Sequence, residues 1–246
     1  MRSDNMKIAV QMYSVRDKIK DSASLLRALD RVKKIGYDGV EFAGYFDADA
    51  KKIKAKLDKT GLVCVGSHLG LDDFKPENLE KTIEFGNILG AKALGVGGAP
   101  HSTMKECVST GKILGKAKEY AMEKYGITTY YHNHTEEFKP LRNKLLPIDV
   151  IGSYTDLEID TYWSFHAGVD NTKFLPEHKD KIVLLHLKDG IDGHPTALGE
   201  GNNDIKKIVK TAKKMKIDWL IVENDDPVPN GFADIERSLN YLKSII

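Results

Sequence analysis

The stretch Ile35-Gly36-Tyr37-Asp38-Gly39-Val40-Glu41-Phe42 decides the fold, because it joins the end of an amphipathic segment, a glycine and a short apolar run. The same order returns three times, with Gly61, Gly90 and Gly126 placed directly before the runs 62–65, 91–96 and 127–131. Glycine commonly ends a helix because it adopts the left-handed conformation without a Cβ penalty. The glycines are 25, 29 and 36 residues apart, so each interval suits one helix and one strand.

Outward from these four units, the chain continues to alternate strands with helices. Strands are predicted at 7–11, 37–42, 62–65, 91–96, 127–131, 157–160, 182–187 and 219–223. Helices are predicted at 25–34, 48–59, 76–89, 104–124, 203–215 and 232–244, and weaker ones at 140–153 and 164–180, where prolines interrupt the period. This alternation implies right-handed crossovers and a parallel sheet.

Eight such units favour an α/β fold with a single (β/α)₈ TIM barrel that occupies residues 1–246 without a linker. A doubly wound open sheet is the alternative fold. It is disfavoured because no G-x-G-x-x-G motif follows a strand near the N-terminus.

Composition narrows the class of protein. Among 246 residues, 41% are hydrophobic and 30% are charged, which indicates a folded chain. The net charge of +1 argues against nucleic acid or an anionic membrane as a partner. No apolar segment is long enough for a signal sequence or a membrane span, so we expect a cytoplasmic protein. Cys64 and Cys107 show no C-x-x-C pattern, and we predict no disulfide.

Ionisable residues fall where the predicted strands end, which is where barrels carry their reactive groups. They are Glu41, His68, the pair His132 and His134, Asp160, His186 and Glu223. Taken singly, each has a structural explanation: a turn cap, a loop histidine, or a carboxylate that holds a loop. Taken together they suggest a site, because a buried carboxylate is costly unless it is paired or bound to metal.

Asp160, His186 and Glu223 follow three consecutive strands and should meet at one end of the barrel. One imidazole and two carboxylates suit Mn²⁺, Mg²⁺, Co²⁺ or Zn²⁺, and the alternative is an ion-pair network without metal. Near this site, Trp163 is either a core anchor or a stacking wall for a sugar. Lys188 forms either a surface ion pair or a substrate contact. The glycines of Leu198-Gly-Glu-Gly201 could let the backbone approach a ligand.

These motifs together resemble the xylose-isomerase-like barrel superfamily, and within it the sugar phosphate isomerase/epimerase group. The resemblance runs from Lys7 to Ile246. It rests on Gln11-Met-Tyr-Ser14, Gly39-Val-Glu41, Tyr131-His-Asn-His134 with Glu137-Phe138, Ile159-Asp-Thr-Tyr-Trp163, His186-Leu-Lys-Asp189, Leu198-Gly-Glu-Gly201 and Val222-Glu223.

The resemblance implies a divalent metal held by residues after strands five to eight. Asp160, His186 and Glu223 match three of the four ligands of such enzymes, and His132 falls where the ketose epimerases carry a glutamate. Glu137 is an alternative fourth ligand. The Tyr-His-Asn-His form is more similar to the branch related to inosose dehydratase and to lyases or hydrolases of 3-keto-glycosides.

The resemblance also implies roles for individual residues. Glu223, His134 and Lys188 are the expected catalytic residues, and the expected metal ligands are His132, Asp160, His186 and Glu223. The expected substrate-binding residues are Gln11, Tyr13, Glu41, His68, Glu137, Trp163 and Glu200.

The expected reaction is proton abstraction next to the carbonyl of a keto sugar or cyclitol, by an isomerase or epimerase. A lyase, dehydratase or hydrolase is the first alternative, and elimination is favoured by the histidine at position 132. A non-catalytic sugar-binding barrel is the second. A repair endonuclease would need more metal ligands and a basic groove, which the net charge of +1 disfavours. A homo-oligomer and the phosphorylation state of the sugar are left open.

Overall fold

Eight parallel strands close into a barrel in the computed structural model, which describes residues 6–246. The barrel strands are β1 (Lys7–Gln11), β2 (Gly39–Ala43), β3 (Val63–Leu69), β4 (Ala93–Val96), β5 (Thr128–His132), β6 (Asp156–Asp160), β7 (Ile182–Leu187) and β10 (Trp219–Val222). A small antiparallel hairpin, β8 (Asp189–Ile191) and β9 (His194–Thr196), follows β7. Because β1 pairs with both β2 and β10, the barrel is closed. The (β/α)₈ prediction is confirmed, and the open sheet is excluded.

Helices surround the barrel between the strands. They are α1 (Ser22–Ile35), α2 (Ala50–Thr60), α3 (Pro76–Leu89), α4 (Met104–Tyr125), α5 (Pro147–Gly152), α6 (Thr161–His166), α7 (Asn171–Glu177), α8 (Ile205–Met215) and α9 (Gly231–Lys243). Short 3₁₀ turns lie at Met12–Lys18, Leu71–Phe74 and Glu136–Phe138. None of the helices within residues 6–246 combines the length and apolar character needed to cross a lipid bilayer.

The glycine stops behave as the sequence predicts. Gly36, Gly61, Gly90 and Gly126 each end a helix, from α1 to α4, in the left-handed conformation. The weaker predictions need correction. The predicted helix at 140–153 shortens to α5, and the one at 164–180 divides into α6 and α7, which are separated by Gly168 at a φ of +86°.

Apolar side chains fill the barrel at one level only. Ala9, Val65, Ala93, Tyr130, Leu184 and Ile221 form a small inner cluster, separate from the larger core between strands and helices. Beyond this inner cluster, toward the carboxyl ends of the strands, the interior becomes polar. Cys64 and Cys107 are both free and buried in the outer layer.

Candidate active site

Strand alternation brings the polar side chains into the barrel. Alternate residues of a strand point to the same side, so Glu158 and Asp160 of β6 both face the interior. Their neighbours in register are His132 on β5, opposite Glu158, and His186 on β7, opposite Asp160. Glu223 follows directly after β10. The barrel register therefore stacks these five residues at one end.

Four of these side chains form a compact donor cluster. His132, Asp160, His186 and Glu223 are buried, and each offers one nitrogen or oxygen that lies within 4.8 Å of the others. His186 Nδ1 lies 2.9 Å from Glu223 Oε2, and His132 Nε2 lies 3.6 Å from Asp160 Oδ2. The cluster contains the four residues that the sequence and the resemblance nominated as ligands.

Both ring nitrogens of His132 are buried without a hydrogen-bond partner, whereas the buried Asp160 Oδ2 forms an ion pair with Lys188. The other oxygen, Asp160 Oδ1, accepts 2.9 Å hydrogen bonds from the backbone N–H groups of Tyr162 and Trp163 and so caps α6. Unsatisfied buried polar atoms cost free energy. Two imidazoles and two carboxylates with orphaned donor atoms fit a divalent cation such as Zn²⁺ or Mn²⁺.

The surroundings keep three of the four side chains in the cluster deprotonated. Burial, reinforced by the neighbouring histidines, lowers the pKa of His132 to about 3, so this imidazole is neutral near pH 7. Burial acts to raise the pKa of Asp160, but the Lys188 ammonium and the His132 ring together outweigh it and lower that pKa to about 2. The pKa of Glu223 is held well below its usual range by Lys188 and His186, against the effect of burial.

Lys188 is the cation of this site. Its Nζ lies 2.9 Å from Asp160 Oδ2, 2.8 Å from Glu223 Oε2 and 2.7 Å from Asp225 Oδ2, and its side chain is buried. The ammonium also stands 5.3 Å from the centre of the Trp163 ring. The alternative of a surface ion pair is therefore wrong, because the side chain has no access to solvent.

A second cluster lies beneath the first and shares His186 with it. His186 Nε2 lies 2.6 Å from Glu41 Oε2 and 3.1 Å from Glu158 Oε1, and His68 Nε2 lies 2.5 Å from Glu158 Oε2. Tyr130 donates its hydroxyl proton to Glu41. These contacts engage the Nε2 side of His186 and leave Nδ1 toward Glu223.

Gln11 and Glu41 belong to this lower layer. Gln11 Nε2 donates to Glu41 Oε2 at 2.8 Å, and both residues are fully buried. Burial and the nearby Glu158 carboxylate raise the pKa of Glu41. Direct contact with a substrate does not fit these positions, contrary to expectation, because both side chains are occupied below the donor cluster.

A cavity of about 530 Å³ opens above the donor cluster. Its lining consists of Tyr13, Ala43, His68, Leu69, Gly97, Gly98, His132, His134, Glu223 and Asp225. Tyr13, His68, His134 and Glu223 are therefore placed where a substrate could reach them. Asp225 was not predicted, although it lies two residues after Glu223, where strand alternation would point it the same way.

Besides Gln11 and Glu41, three more predicted substrate residues lie outside this lining. Glu137 is fully buried, and its oxygens accept 2.8 Å hydrogen bonds from the Tyr131 hydroxyl and the His134 backbone N–H, so it fits neither substrate contact nor the role of fourth ligand. Glu200 pairs with Arg237 at 2.9 Å on an exposed surface. Trp163 lies beside Lys188, with its indole N–H buried and unpartnered.

Glu158 is the main residue that the sequence analysis missed. The candidates were taken from residues at or close to the ends of the predicted strands, and Glu158 lies two positions before Asp160, inside its strand. The acidic alternation Asp156-Leu-Glu-Ile-Asp160 is the signal that would have identified it.

A closed parallel barrel that gathers buried imidazoles and carboxylates beside a cavity at its carboxyl end has the architecture of a barrel enzyme. The chain belongs to the xylose isomerase-like TIM barrel family, whose model matches residues 29–245.

Individual relatives are similar over nearly the whole chain. An inosose dehydratase of Mesomycoplasma hyopneumoniae strain 7448 is 25% identical over 269 aligned positions, which cover 89% of this chain and 88% of that protein. A sugar phosphate isomerase/epimerase from Parabacteroides distasonis superposes with a TM-score of 0.79 at 23% identity, covering 99% of this chain and 96% of its own. The 3-keto-D-glucoside 4-epimerase of E. coli superposes with a TM-score of 0.72 at 17% identity, covering 98% of this chain and 100% of its own. The two structures show the shared fold.

Proposed function

We propose that this protein is a divalent-metal-dependent enzyme that removes a proton from the carbon next to the carbonyl of a keto sugar or cyclitol. The observation that carries the proposal is the donor cluster, whose four ligand atoms lie within 4.8 Å of one another at the floor of an open cavity. The unpartnered ring nitrogens of His132 support it, because a cation would satisfy one of them.

His132, Asp160, His186 and Glu223 would hold the ion. Mn²⁺, Mg²⁺, Co²⁺ and Zn²⁺ all accept such nitrogen and oxygen donors. When bound, a divalent ion supplies a Lewis acid that draws electron density from a carbonyl oxygen and makes the adjacent C–H more acidic.

Proton transfer falls to side chains that reach the cavity. His134 is exposed and lines it, and the Glu137 carboxylate fixes the His134 backbone N–H at 2.8 Å, which orients the residue. Imidazole is suited to accept and return protons near neutral pH. Glu223 lines the cavity floor as the second candidate base, and the buried Lys188 ammonium stabilises negative charge that develops beside it.

Elimination is the second candidate reaction, and a specific observation favours it. His132 stands where the resemblance implies a glutamate, so the cavity has one carboxylate of the expected pair, Glu223, rather than two on opposite faces of the substrate. His134 could then protonate a leaving hydroxyl on the face from which it removed the proton. The similarity to an inosose dehydratase points the same way. A sugar-binding barrel without turnover is the remaining alternative.

The test combines metal analysis of the purified protein with incubation in D₂O against a panel of keto sugars, 3-keto-glycosides and inososes. We expect about one divalent ion per chain and deuterium at the carbon next to the carbonyl. A product lighter by one water indicates elimination, and an epimer of unchanged mass indicates epimerisation. Metal-free protein of full activity would contradict the proposal, and metal binding without exchange would favour the sugar-binding alternative.

His134→Ala separates proton transfer from metal binding. It should abolish turnover while the metal content stays close to that of the wild type. His194→Ala is the matched control, because His194 is an exposed histidine on β9 that does not line the cavity. Full turnover by His134→Ala would remove His134 from the reaction.

A further inference from the structure

We propose that the site takes an unphosphorylated, electrically neutral substrate, because the chain fills its own anion-binding loop with the carboxylate of Asp189. The proposal rests on the proposed function and specifies its substrate class: a free keto sugar, a cyclitol or a neutral glycoside.

The loop after β7 is the place where a phosphate would be expected. Barrels of this type frequently bind phosphate through the loops that follow the last two barrel strands and a nearby helix N-terminus. Backbone N–H groups that converge there form a concave site for one anion. In this chain the corresponding loop is the glycine-rich stretch 197–203.

The N–H groups of this loop converge on Asp189. Gly190 and Asn203 each donate to Asp189 Oδ1 at 2.9 Å, and Gly199 and Gly201 donate to Asp189 Oδ2 at 2.9 and 3.1 Å. The Asp189 side chain is fully buried. Across residues 6–246, no lysine, arginine or histidine forms an ion pair with it, so the backbone donors are the groups that balance its charge.

The loop glycines are explained by the same carboxylate. A Cβ on Gly201 would overlap the Asp189 carboxylate, and Gly199 has a φ of +85° with the Tyr241 ring against it. We expected these glycines to let the backbone approach a ligand. They let the backbone approach Asp189 instead, so the backbone N–H groups that could bind a substrate phosphate are already occupied by this carboxylate.

The nearby helix N-termini are likewise capped from within the chain. The Asp204 carboxylate accepts from the Lys207 N–H at the start of α8, and the Asn230 amide oxygen accepts from the Ala233 N–H at the start of α9. Neither leaves its first turn open for an incoming anion.

Apart from the proposed divalent ion, positive charge is scarce in the cavity. In the part of the chain that the structure describes, its lining contains no lysine or arginine, and it includes the carboxylates of Glu223 and Asp225. Lys188 beneath them already contacts three carboxylates. Arg16 donates to the Asp225 carbonyl oxygen at 2.6 Å and stacks 4.0 Å from the Tyr13 ring centre.

Beside the proposed ion, a phosphate dianion in this cavity would face the carboxylates of Glu223 and Asp225. Like charges juxtaposed in a site cost several kcal/mol, whereas sugar hydroxyls can donate hydrogen bonds to the same carboxylates. Neutral polyols are therefore the chemistry that the lining recognises.

The experiment uses the intact protein loaded with its metal. Turnover is compared for a neutral keto sugar and for the phosphate ester of the same sugar, and inorganic phosphate is titrated both as an inhibitor and in thermal unfolding. We expect kcat/KM for the ester to be lower on the order of 100-fold, with no competitive inhibition and no rise in Tm with phosphate. Equal or better turnover of the ester, or phosphate that competes with the sugar or raises Tm, overturns the proposal.

Asp189→Ala is the variant that should gain phosphate binding. It frees four backbone N–H groups, so phosphate should raise the Tm of this variant and leave that of the wild type unchanged. Asp180→Ala is the matched control, because it removes an exposed carboxylate between α7 and β7, away from the helix N-termini. If Asp189→Ala folds and phosphate does not raise its Tm, the four backbone N–H groups do not form an anion site and the proposal is contradicted. If the variant does not fold, the titration of the wild type with phosphate decides alone. If neither sugar is turned over, the proposed function fails, whereas the phosphate titration still decides the present inference.

Discussion

Asp160 joins the local fold to the candidate metal site through its two oxygens. Oδ1 caps α6, and Oδ2 faces the donor cluster, where it lies 2.9 Å from Lys188 Nζ. A substitution that keeps the first interaction and changes the second can therefore separate folding from metal binding.

Asp160→Asn is that substitution. The amide oxygen can still cap α6, but the negative charge is lost and an N–H₂ group faces the cluster. We expect metal affinity to fall by at least about 100-fold, since even partners of metal ligands are worth 10 to 100-fold. The measurement is metal content after dialysis, with circular dichroism to show that the helices persist. Asp170→Asn, an exposed cap of α7, is the control and should retain its metal; equal metal content in the two variants would remove Asp160 from the ligand set.

His186 predicts a pH dependence of metal binding. Burial acts to lower its pKa, but the carboxylates of Glu158, Glu223 and Glu41 outweigh burial and raise that pKa well above 6.5. The raised pKa favours the protonated ring in the absence of the ion, and ligation through Nδ1 requires the proton to leave. Affinity should rise with pH, by about tenfold per unit, until the pH exceeds the folded-state pKa.

Calorimetry measures this proton directly. Titrations of the metal in two buffers of different ionisation enthalpy should give different apparent enthalpies, corresponding to about one proton released per ion. Identical enthalpies in both buffers would mean that His186 does not lose a proton to bind the ion.

Among the strands, Gly95 leaves the space that the Tyr130 ring occupies. It lies on β4 in register with Tyr130 on β5, and a Cβ there would overlap the Tyr130 ring and its carbonyl oxygen. Tyr130 in turn donates its hydroxyl proton to Glu41 beneath the donor cluster.

Gly95→Ala should lower the free energy of unfolding by about 1 to 3 kcal/mol, because overpacking displaces Tyr130. Gly98→Ala is the matched control, since its added Cβ would meet nothing nearer than 3.9 Å. Urea unfolding at equilibrium is the measurement. If Gly95→Ala unfolds at the same urea concentration as the wild type, β4 is not packed as tightly as described.

The strand order could be predicted from the sequence because its signals are local. A left-handed glycine such as Gly36 or Gly126 marks the end of a helix wherever the helix packs. The segments after β5 and β6 carry no such marker. The cap of α6 is Asp160 itself, so the helix begins at Thr161, earlier than the apolar periodicity indicates. The three-residue strands β8 and β9 are too short to carry a pattern.

The site was predictable where strand position alone decides it. Asp160, His186 and Glu223 were expected to meet because a parallel barrel brings the ends of its strands together, and the family resemblance added His132. For a residue in a loop beyond a strand end, the sequence position does not determine where the side chain points. The turn at Glu136–Phe138 directs Glu137 back to the His134 backbone, and the loop after β9 directs Glu200 to Arg237.

For the whole molecule, barrel closure predicts one cooperative unit. Trp163 lies near the carboxyl ends of the strands, whereas Trp219 begins β10 at the other end, opposite Lys7 in register. Because β1 and β10 close the sheet, we expect both tryptophans to report the same thermal midpoint. The measurement is fluorescence of Trp163→Phe and Trp219→Phe, each scaled to its own circular dichroism transition. Fluorescence that departs from the circular dichroism midpoint in either variant would indicate two units instead of one domain.

The two buried thiols can serve as chemical probes of local opening of the structure. Burial raises the pKa of Cys64, on β3, to about 12, and it also raises the pKa of Cys107, on α4. Alkylating reagents attack thiolates that they can reach, so neither sulfur should react while the surrounding structure is closed. An iodoacetamide adduct on Cys64 therefore reports local opening of the barrel strands, and one on Cys107 reports opening of the helical layer. Mass spectrometry of the two peptides over time would show which of these two layers opens first.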